Sequence, residues 1–342
     1  MRMKAAPPTQ VLETHTPALF SEAVVRAAEW LRAGELVALP TETVYGLAAN
    51  ALDARAVARI FQAKDRPGHN PIIVHVASLE MARRCVAGWP DVAGRLAAAF
   101  WPGPLTLVLP RALIVPDIVT AGGSTVGVRW PSHPFIQAVI KECGFPLAAP
   151  SANRSNQLSP TSAEHVLRSL GGRVPLIVDG GQAQVGIEST VVDVTCSPPR
   201  VLRPGMIHEE SLAAVAGLFR GGATASEADG QYRSPGQLPK HYAPKARLRI
   251  CSWTSDDDLR RQIAELRLNP AACHVVAHTF IPSGAGLGGV SVIPHDAKAF
   301  ARALYAELHR CDESGAEVIL VEAVPVHADW RGIADRLRRA AA

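Results

Sequence analysis

Residues 39–50, LPTETVYGLAAN, stand between an apolar run that ends at Leu39 and an amphipathic run that begins at Asp53. A plain connection between a strand and a helix is rich in Gly, Pro, Asn and Asp. This connection instead carries two threonines, a glutamate and a tyrosine. Because ligands of open α/β sheets bind where strands end, these polar side chains mark a candidate site.

Outward from this stretch, short β-branched runs alternate with amphipathic helical runs, which is typical of an α/β protein. The pattern predicts a strand over 35–40, a helix over 53–64 and further strands over 71–76, 105–110 and 125–130. After Arg220 the composition shifts to Gly, Ser, Pro and Gln, and a second α/β pattern follows that linker. We therefore predict a large domain over 18–207, a linker over 221–246 and a small α/β domain over 247–342.

Composition narrows the class of protein. The 342 residues are 48% hydrophobic, enough for a large core, yet no apolar run reaches the length of a membrane span. No secretion signal is recognisable at the start of the chain. The six cysteines form no CxxC pair, which argues against a zinc site and fits reduced thiols in the cytoplasm. The net charge of +4 leaves room for an anionic ligand.

Familiar nucleotide motifs are absent or misplaced. The sequence GAGLGG at 284–289 matches GxGxxG, but a strand-like run follows it, so no helix N-terminus is available to bind a pyrophosphate. A Walker A loop needs Gly-Lys, and this dipeptide does not occur. An ATP site in this chain must be built in another way.

Polar residues recur near the ends of predicted strands. Lys64 and Arg66 close one helix and Asn70 precedes the next strand, although two cations on a helix C-terminus and an Asn turn would explain them equally well. Thr125 and Arg129 lie on one face of a strand, because side chains repeat every two residues. A charge in an apolar strand is costly when unpaired, so Arg129 either sits at an edge or faces an anion.

Two later segments are richer in donors. In APSANRSNQLSPTSAEHV, Thr161 and Glu164 have the spacing of a capping box, and the preceding loop holds more hydroxyl and amide groups than a turn requires. A loop with Asx and Ser turns is the simpler alternative. The segments VGIESTVVD and RVLRPG then place Glu188, Ser189 and Arg203 beside predicted strands, where a solvent-facing turn is again the plain reading.

Taken together, these segments resemble one family, the YrdC-like threonylcarbamoyl-AMP synthases. The resemblance runs in order through PTETVYGL, KDRPGHNPIIVHV, TVGVRWPSHP, APSANRS, SPT, GIESTVVD and LRPG. The pieces SPGQLPKHYAPKA and GIADRLRRAA resemble the long, two-domain form. The resemblance implies a YrdC-like domain with a twisted open mixed sheet, then a linker, then a smaller Rossmann-like α/β domain.

The resemblance also implies a reaction. L-Threonine, bicarbonate or CO2, and ATP would give threonylcarbamoyl-AMP and pyrophosphate, an intermediate that tRNA threonylcarbamoyl transferase machinery uses to modify an adenosine of tRNA. Such chemistry needs positioning and cations more than covalent catalysis, so Arg, Lys, Ser, Thr and Asn suit it. Mg2+ would arrive on the ATP phosphates, without a dedicated carboxylate site in the protein. Direct contact with tRNA is a further possibility, and a membrane partner is not expected.

By resemblance, two groups of residues hold the substrates. The predicted ATP contacts are Arg66, Asn70, Thr125, Ser151, Ser159, Arg203 and Tyr242. Lys64 joins Arg66 as a catalytic cation near the phosphates. The predicted threonine contacts are Thr43, His75, Arg129, the backbone at Ala149, and Ser189. Arg129 would hold the threonine carboxylate with two parallel hydrogen bonds.

Several alternatives stay open at this point. Tyr45 either forms a wall of the substrate pocket or is a core aromatic with a satisfied hydroxyl. The linker residues His241, Tyr242 and Lys245 either close the site or dock the second domain. An RNA-binding module of the same fold without turnover is the main alternative function. It would bind RNA in a salt-dependent way, although the aromatic content of 5% is low for such a module.

Two departures from the family pattern bear on the site. Asp65 stands where the family usually has glycine, and its charge beside the phosphate cations is expected to weaken ATP binding. Asn156 also replaces a usual glycine, and because Asn tolerates positive φ we expect it to preserve the turn.

Overall fold

The computed structural model describes residues 8–217, 219, 234–235 and 241–342. Most of the predicted linker therefore lies outside the described residues, including residues 237–240 (QLPK), which differ from the version that is common in the family. Within these ranges, no helix is both long and apolar enough to cross a membrane.

The N-terminal part is built on one ten-stranded mixed sheet. Its strands are β1 (Gln10–Glu13), β2 (Val37–Leu39), β3 (Gly46–Asn50), β4 (Val74–His75), β5 (Leu105–Pro110), β6 (Thr125–Arg129), β7 (Leu147–Ala148), β8 (Leu176–Asp179), β9 (Thr190–Asp193) and β10 (Arg200–Arg203). They lie in the order β1-β8-β2-β3-β7-β4-β6-β5-β9-β10. The sheet contains both parallel and antiparallel pairs: β4, for example, pairs parallel with β6 and antiparallel with β7. The predicted open mixed sheet is confirmed.

The opening stretch forms a hairpin in this sheet. β2 pairs antiparallel with β3, from Leu39 with Gly46 to Val37 with Ala48. The sequence predicted a strand followed by a loop, and the second strand was missed because GLAAN has little β propensity. Gly46 allows a close approach here, since a Cβ atom would lie 3.2 Å from the Cβ of Ala149 and the neighbouring segment would have to shift by a few tenths of an ångström.

Helices cover both faces of the sheet. They are α1 (Pro17–Arg32), α2 (Ala54–Lys64), α3 (Leu79–Arg84), α4 (Asp91–Phe100), α5 (Asp117–Thr120), α6 (Pro134–Cys143), α7 (Ala163–Leu170) and α8 (Glu209–Ala216). The buried apolar residues of α1 and α6 pack on one face, and those of α2, α4 and α7 pack on the other. The N-cap of helix α7 is Ser162, whose hydroxyl accepts from the His165 amide. The predicted capping box of Thr161 and Glu164 is therefore wrong, because the third helical residue is His165 and not a glutamate.

The C-terminal part has its own small sheet. Strands β11 (Arg247–Cys251), β12 (Cys273–Ala277), β13 (Gly289–Val292) and β14 (Val318–Glu322) are all parallel and lie in the order β11-β14-β12-β13. Helices α9 (Asp256–Glu265), α10 (Ala297–Glu313) and α11 (Arg331–Ala340) accompany it. The predicted small α/β domain is confirmed. The GAGLGG sequence leads directly into β13, as expected of a loop without a helix behind it.

The two parts pack closely through glycines. A Cβ atom on Gly186 would lie 2.3 Å from the carbonyl oxygen of Ala301 in α10. A Cβ atom on Gly332 in α11 would lie 2.9 Å from the carbonyl oxygen of Gly205. Larger side chains at Gly186 or Gly332 would push these helices away from the loops around β9 and β10.

Candidate active site

A cavity at the ends of β4, β6, β7, β9 and β10 brings together most of the predicted site residues. Nine of the thirteen line it: Thr43, Arg66, His75, Arg129, Ala149, Ser151, Ser189, Arg203 and Tyr242. Lys64, Asn70, Thr125 and Ser159 do not. Residues distant in sequence therefore converge on one space, as expected at the ends of strands in an open sheet.

The loop between β2 and β3 presents Thr43 to the cavity. The hydroxyl of Thr41 accepts from the amides of Thr43, at 3.2 Å, and Val44, at 3.3 Å. This local turn fixes the side chain of Thr43, whose hydroxyl accepts from Nη1 of Arg129 at 2.8 Å. The threonines of the opening stretch thus shape the loop and contact the site.

Arg129 faces an anion within the protein itself. Its Nη2 lies 2.7 Å from Oε1 of Glu42, and its Nε donates to the carbonyl of Gly103 at 3.2 Å. Burial would raise the pKa of Glu42, but the charge of Arg129 and the amide of Ser132 hold that pKa below its ordinary value. Arg129 is therefore a neutralised cation in a fixed orientation.

His75 is the neighbour of Arg129 in the β4–β6 pair. Burial, reinforced by the charge of Arg129, lowers the pKa of His75 to about 3. The imidazole is therefore neutral at physiological pH. It can take part in hydrogen bonds with a ligand but is too weak a base to retain a proton there.

Two further arginines give the cavity a cationic end. The guanidinium of Arg203 donates to the carbonyl and hydroxyl of Ser189, both at 3.1 Å, and to the hydroxyl of Tyr242 at 3.3 Å. Arg66 donates to the carbonyls of Asn70 and Pro71. Burial lowers the pKa of Arg66 to about 10, so it remains a cation at neutral pH. In the described part of the chain, neither arginine forms an ion pair with a carboxylate.

Glu188 also lines the cavity, and our sequence analysis gave it no role. Its carboxylate accepts from Ser159 at 2.6 Å, Tyr305 at 3.1 Å and Arg336 at 2.6 Å. Tyr305 and Arg336 belong to the C-terminal part. A signal for Glu188 and for Glu42 was present in the sequence, since each is a lone carboxylate beside an apolar strand and therefore needs a partner if buried.

The four predicted residues outside the cavity support its walls or lie apart from it. The ammonium of Lys64 is buried and donates to the carbonyls of Ser151 and Asn153, and its contact with the phosphates stays a prediction. Asn70 offers its carbonyl to Arg66, and Ser159 bonds to Glu188. Thr125 is four residues from Arg129 along β6, about 13 Å at the usual rise of a strand.

The structure decides between the two alternatives for Tyr45 and corrects the expectation for Asp65. Tyr45 is not a cavity wall, because its ring is fully buried and its hydroxyl donates to the carbonyl of Gly181 at 2.7 Å. Asp65 does not face the cavity; its exposed carboxylate pairs with Arg154 and Arg173. Its backbone is left-handed with φ 51°, as a glycine would be. Asn156 has φ 67° and preserves its turn as expected.

Linker residues complete the lining. Pro235, His241 and Tyr242 border the cavity, and Tyr242 is fully buried with φ 61°. The guanidinium of Arg336 lies over the Tyr242 ring, 5.3 Å from its centroid. His241 donates its amide to the carbonyl of Arg339 in α11. His241 and Tyr242 thus both border the cavity and contact the C-terminal part.

Known proteins share both parts of this arrangement. Residues 29–205 match the Sua5/YciO/YrdC family model, described as "Telomere recombination", and residues 207–342 match the model described as "Threonylcarbamoyl-AMP synthase, C-terminal domain". Threonylcarbamoyl-AMP synthase of Pyrococcus abyssi is 41% identical over 325 residues, 92% of each chain. That of Bacillus subtilis is 39% identical over 339 residues, 97% of this chain and 95% of the relative.

A solved structure has the same fold over nearly the whole chain. The crystal structure of P. abyssi Sua5 complexed with L-threonine superposes with a TM-score of 0.88 at 37% identity, over 97% of this chain and 96% of that one. The fold and the cavity define a two-domain protein of the YrdC-like class. Within this class, the chain belongs to the threonylcarbamoyl-AMP synthase family.

Proposed function

We propose that this chain synthesises L-threonylcarbamoyl-AMP from L-threonine, bicarbonate or CO2, and ATP, with release of pyrophosphate. The observation that carries the proposal is the distribution of charge in the cavity. One end holds a neutralised arginine beside a threonine hydroxyl and a neutral histidine. The other end holds Arg66 and Arg203, which form no ion pair with a carboxylate among the described residues. A zwitterionic amino acid suits the first end and a polyphosphate suits the second.

At the first end, we assign threonine recognition to Thr43, His75, Arg129, the backbone at Ala149, and Ser189. Arg129 is already held by Glu42 and Gly103, so little side-chain entropy is lost when it binds a carboxylate. His75, being neutral, positions the amino group without keeping its proton. The neutral amine then attacks the carbon of CO2 to form a carbamate, and a proton passes to water; with bicarbonate, the same attack releases a water molecule.

At the second end, we assign Arg66, Ser151, Arg203 and Tyr242 to ATP. The carbamate oxygen attacks the α-phosphorus, the bond to the bridging oxygen breaks, and pyrophosphate leaves. Arg66 and Arg203 stabilise the charge that develops on the phosphate oxygens. Lys64, Asn70 and Ser159 act behind this layer by fixing Ser151, Arg66 and Glu188. Thr125 has no direct contact with the cavity to support its predicted role.

Magnesium fits this scheme as an ion carried by ATP. Among the described residues that line the cavity, Glu188 is the sole carboxylate, and its oxygens already accept from Ser159, Tyr305 and Arg336. A protein-built magnesium site needs free carboxylate oxygens. The phosphates and water would therefore supply the ligands of Mg2+.

We further propose that the linker encloses the reaction. Pro235, His241 and Tyr242 border the cavity, so the carbamate and the adenylate would be shielded from water. In Tyr242→Ala we expect more pyrophosphate released than threonylcarbamoyl-AMP recovered, because exposed intermediates hydrolyse. Equal yields of the two products would speak against enclosure by Tyr242.

The product would pass to a tRNA threonylcarbamoyl transferase for N6-threonylcarbamoyladenosine formation, and we propose the cytoplasm as the site of the reaction. The test of the main proposal measures pyrophosphate release from ATP and Mg2+ while L-threonine or bicarbonate is omitted in turn. We expect release to need both and to fall at least about 100-fold in Arg66→Ala. Arg154→Ala, an exposed arginine outside the cavity, is the matched control.

Two outcomes would overturn the proposal. Pyrophosphate release that ignores threonine would indicate a different adenylating enzyme. Salt-dependent RNA binding without any release would restore the alternative of an RNA-binding module.

A further inference from the structure

A buried arginine of the C-terminal part reaches a carboxylate in the cavity wall. Nε of Arg336 donates to Oε2 of Glu188 at 2.6 Å, and Nη2 donates to the backbone carbonyl of Glu188 at 3.2 Å. The side chain of Arg336 is 0% exposed. Removal of one partner of such a pair leaves a buried charge without compensation, which is far more costly than loss of a surface pair.

The backbone is arranged to permit this contact. Gly332 and Arg336 are one turn apart on α11 and lie on the same face. Gly332 packs directly on Gly205, and a Cβ atom on Gly205 would itself lie 2.9 Å from the carbonyl of Glu188. Nη1 of Arg336 donates to the carbonyl of Pro204 at 3.0 Å. These contacts bring the helix to the loop that carries Glu188.

The charges around Glu188 can be assigned one by one. Arg336 forms the ion pair, whereas the donors of Arg203 go to neutral groups of Ser189, Tyr242 and Pro235. Arg336 also contacts Asp335, but Asp335 has a second arginine partner in the next turn of α11. The carboxylates of Glu188 and Asp335 are thus balanced without Arg203.

Arg203 is nevertheless close enough to act on Glu188. Burial would raise the pKa of Glu188, but the charge of Arg336 and then that of Arg203 hold that pKa below its ordinary value. If Arg336 were absent, Arg203 would be the remaining cation near a buried carboxylate. An ion pair between Glu188 and Arg203 would neutralise one of the two arginines at the cationic end of the cavity.

We propose that Arg336 is a positioning residue of the active site: by neutralising Glu188 from the C-terminal domain, it keeps Arg203 available for the phosphates of ATP. This inference rests on the proposed function in one respect, the assignment of Arg203 to ATP. It assigns the C-terminal domain a specific electrostatic part in nucleotide binding.

The test compares four forms of the full chain: wild type, Arg336→Met, the double variant Arg336→Met/Glu188→Gln, and Arg338→Met. Met retains much of the length of Arg but has no charge. Gln at position 188 removes the carboxylate that would capture Arg203. Arg338 is exposed on the same helix and outside the cavity, so it is the matched control. The readouts are calorimetric binding of a non-hydrolysable ATP analogue with Mg2+, and the KM values for ATP and L-threonine.

We expect Arg336→Met to weaken analogue binding at least about 10-fold, while the KM for threonine changes less than about threefold. The double variant should recover most of the lost affinity, because the uncompensated carboxylate is gone. Arg338→Met should bind as wild type does. A purely structural role of Arg336 would instead weaken the binding of the ATP analogue and raise the KM for threonine together.

The failures can be told apart. If the double variant binds no better than Arg336→Met, or if Arg336→Met binds ATP normally, the inference is wrong. If Arg336→Met does not fold, the neutral Arg336→Gln, which can still donate a hydrogen bond to Glu188, replaces it, and normal affinity in Arg336→Gln/Glu188→Gln with weak affinity in Arg336→Gln supports the inference. If wild type binds the analogue but releases no pyrophosphate, the proposed function fails while the binding series still decides about Arg336. A wild-type chain that binds no ATP overturns both.

Discussion

Arg129 and Glu42 form an ion pair within the cavity wall, with Nη2 of Arg129 2.7 Å from Oε1 of Glu42 and side chains that are 4% and 6% exposed. Glu42→Ala leaves the arginine as an uncompensated buried charge. We expect the free energy of unfolding to fall by about 3–5 kcal/mol, measured by urea denaturation. Glu142→Ala, which breaks the exposed pair with Arg32, should cost less than about 1 kcal/mol.

If Glu42→Ala and Glu142→Ala lowered the free energy of unfolding by the same amount, burial would not make the Arg129–Glu42 pair more important for stability than an exposed pair. The milder Glu42→Gln retains an acceptor for the Ser132 amide, so its free energy of unfolding should lie between those of wild type and Glu42→Ala.

Tyr45 gives a second test, because its buried hydroxyl both donates to Gly181 and accepts from the Gly180 amide. Tyr45→Phe leaves these groups without their partner. We expect a loss of about 1–3 kcal/mol in stability. The KM for threonine should change less than about twofold, because the hydroxyl is not part of the cavity lining. A large rise in the KM for threonine with unchanged stability would indicate that Tyr45 contacts the substrate after all.

The class of fold and many of the residues that line the cavity could be predicted from the sequence. Alternating strands and helices define an α/β fold, and polar residues at strand ends converge in any open sheet, so Arg66, Arg129 and Arg203 could be grouped before their positions were known. The resemblance supplied the order of the motifs. Nine predicted residues line one cavity as a result.

The errors share a different physical cause. Direction and pairing of side chains depend on tertiary contacts that no local pattern contains. Lys64 and Asp65 follow each other in the chain, yet one side chain turns inward to backbone carbonyls and the other turns outward to Arg154. The contact between Glu188 and Arg336 joins residues 148 positions apart and could not be read from either motif alone.

The outward direction of Asp65 gives a third prediction. Asp65→Gly should leave the KM for ATP within about twofold of wild type, because the carboxylate does not face the phosphate cations and its charge is exposed to solvent. Steady-state pyrophosphate release measures this KM. Asp65→Ala should be less stable than Asp65→Gly, since φ 51° is unfavourable for a residue with a Cβ atom. If Asp65→Gly bound ATP much more tightly, the carboxylate would have to reach the cavity.

Three buried histidines should make the folded protein less stable in acid. Burial lowers the pKa of His75, His165 and His241 to about 3, below the ordinary value of 6.5. Above pH 6.5 both the folded and unfolded forms are neutral, so these groups contribute no pH dependence there. As the pH falls from 6.5 towards 3, only the unfolded form takes up protons, and the free energy of unfolding decreases.

His165→Asn isolates one of these groups, since its amide oxygen can accept from the Thr161 amide in place of Nδ1. Each such histidine accounts for a slope of about 1.4 kcal/mol per pH unit below 6.5. We expect urea denaturation at about pH 6.5, 5.5 and 4.5 to show a slope in His165→Asn that is smaller by that amount. The pKa values of Glu42 and Glu188 lie below their ordinary 4.5, so protonation of these carboxylates falls below this window. An identical slope in wild type and His165→Asn would mean that the folded protein protonates His165 as readily as the unfolded chain does.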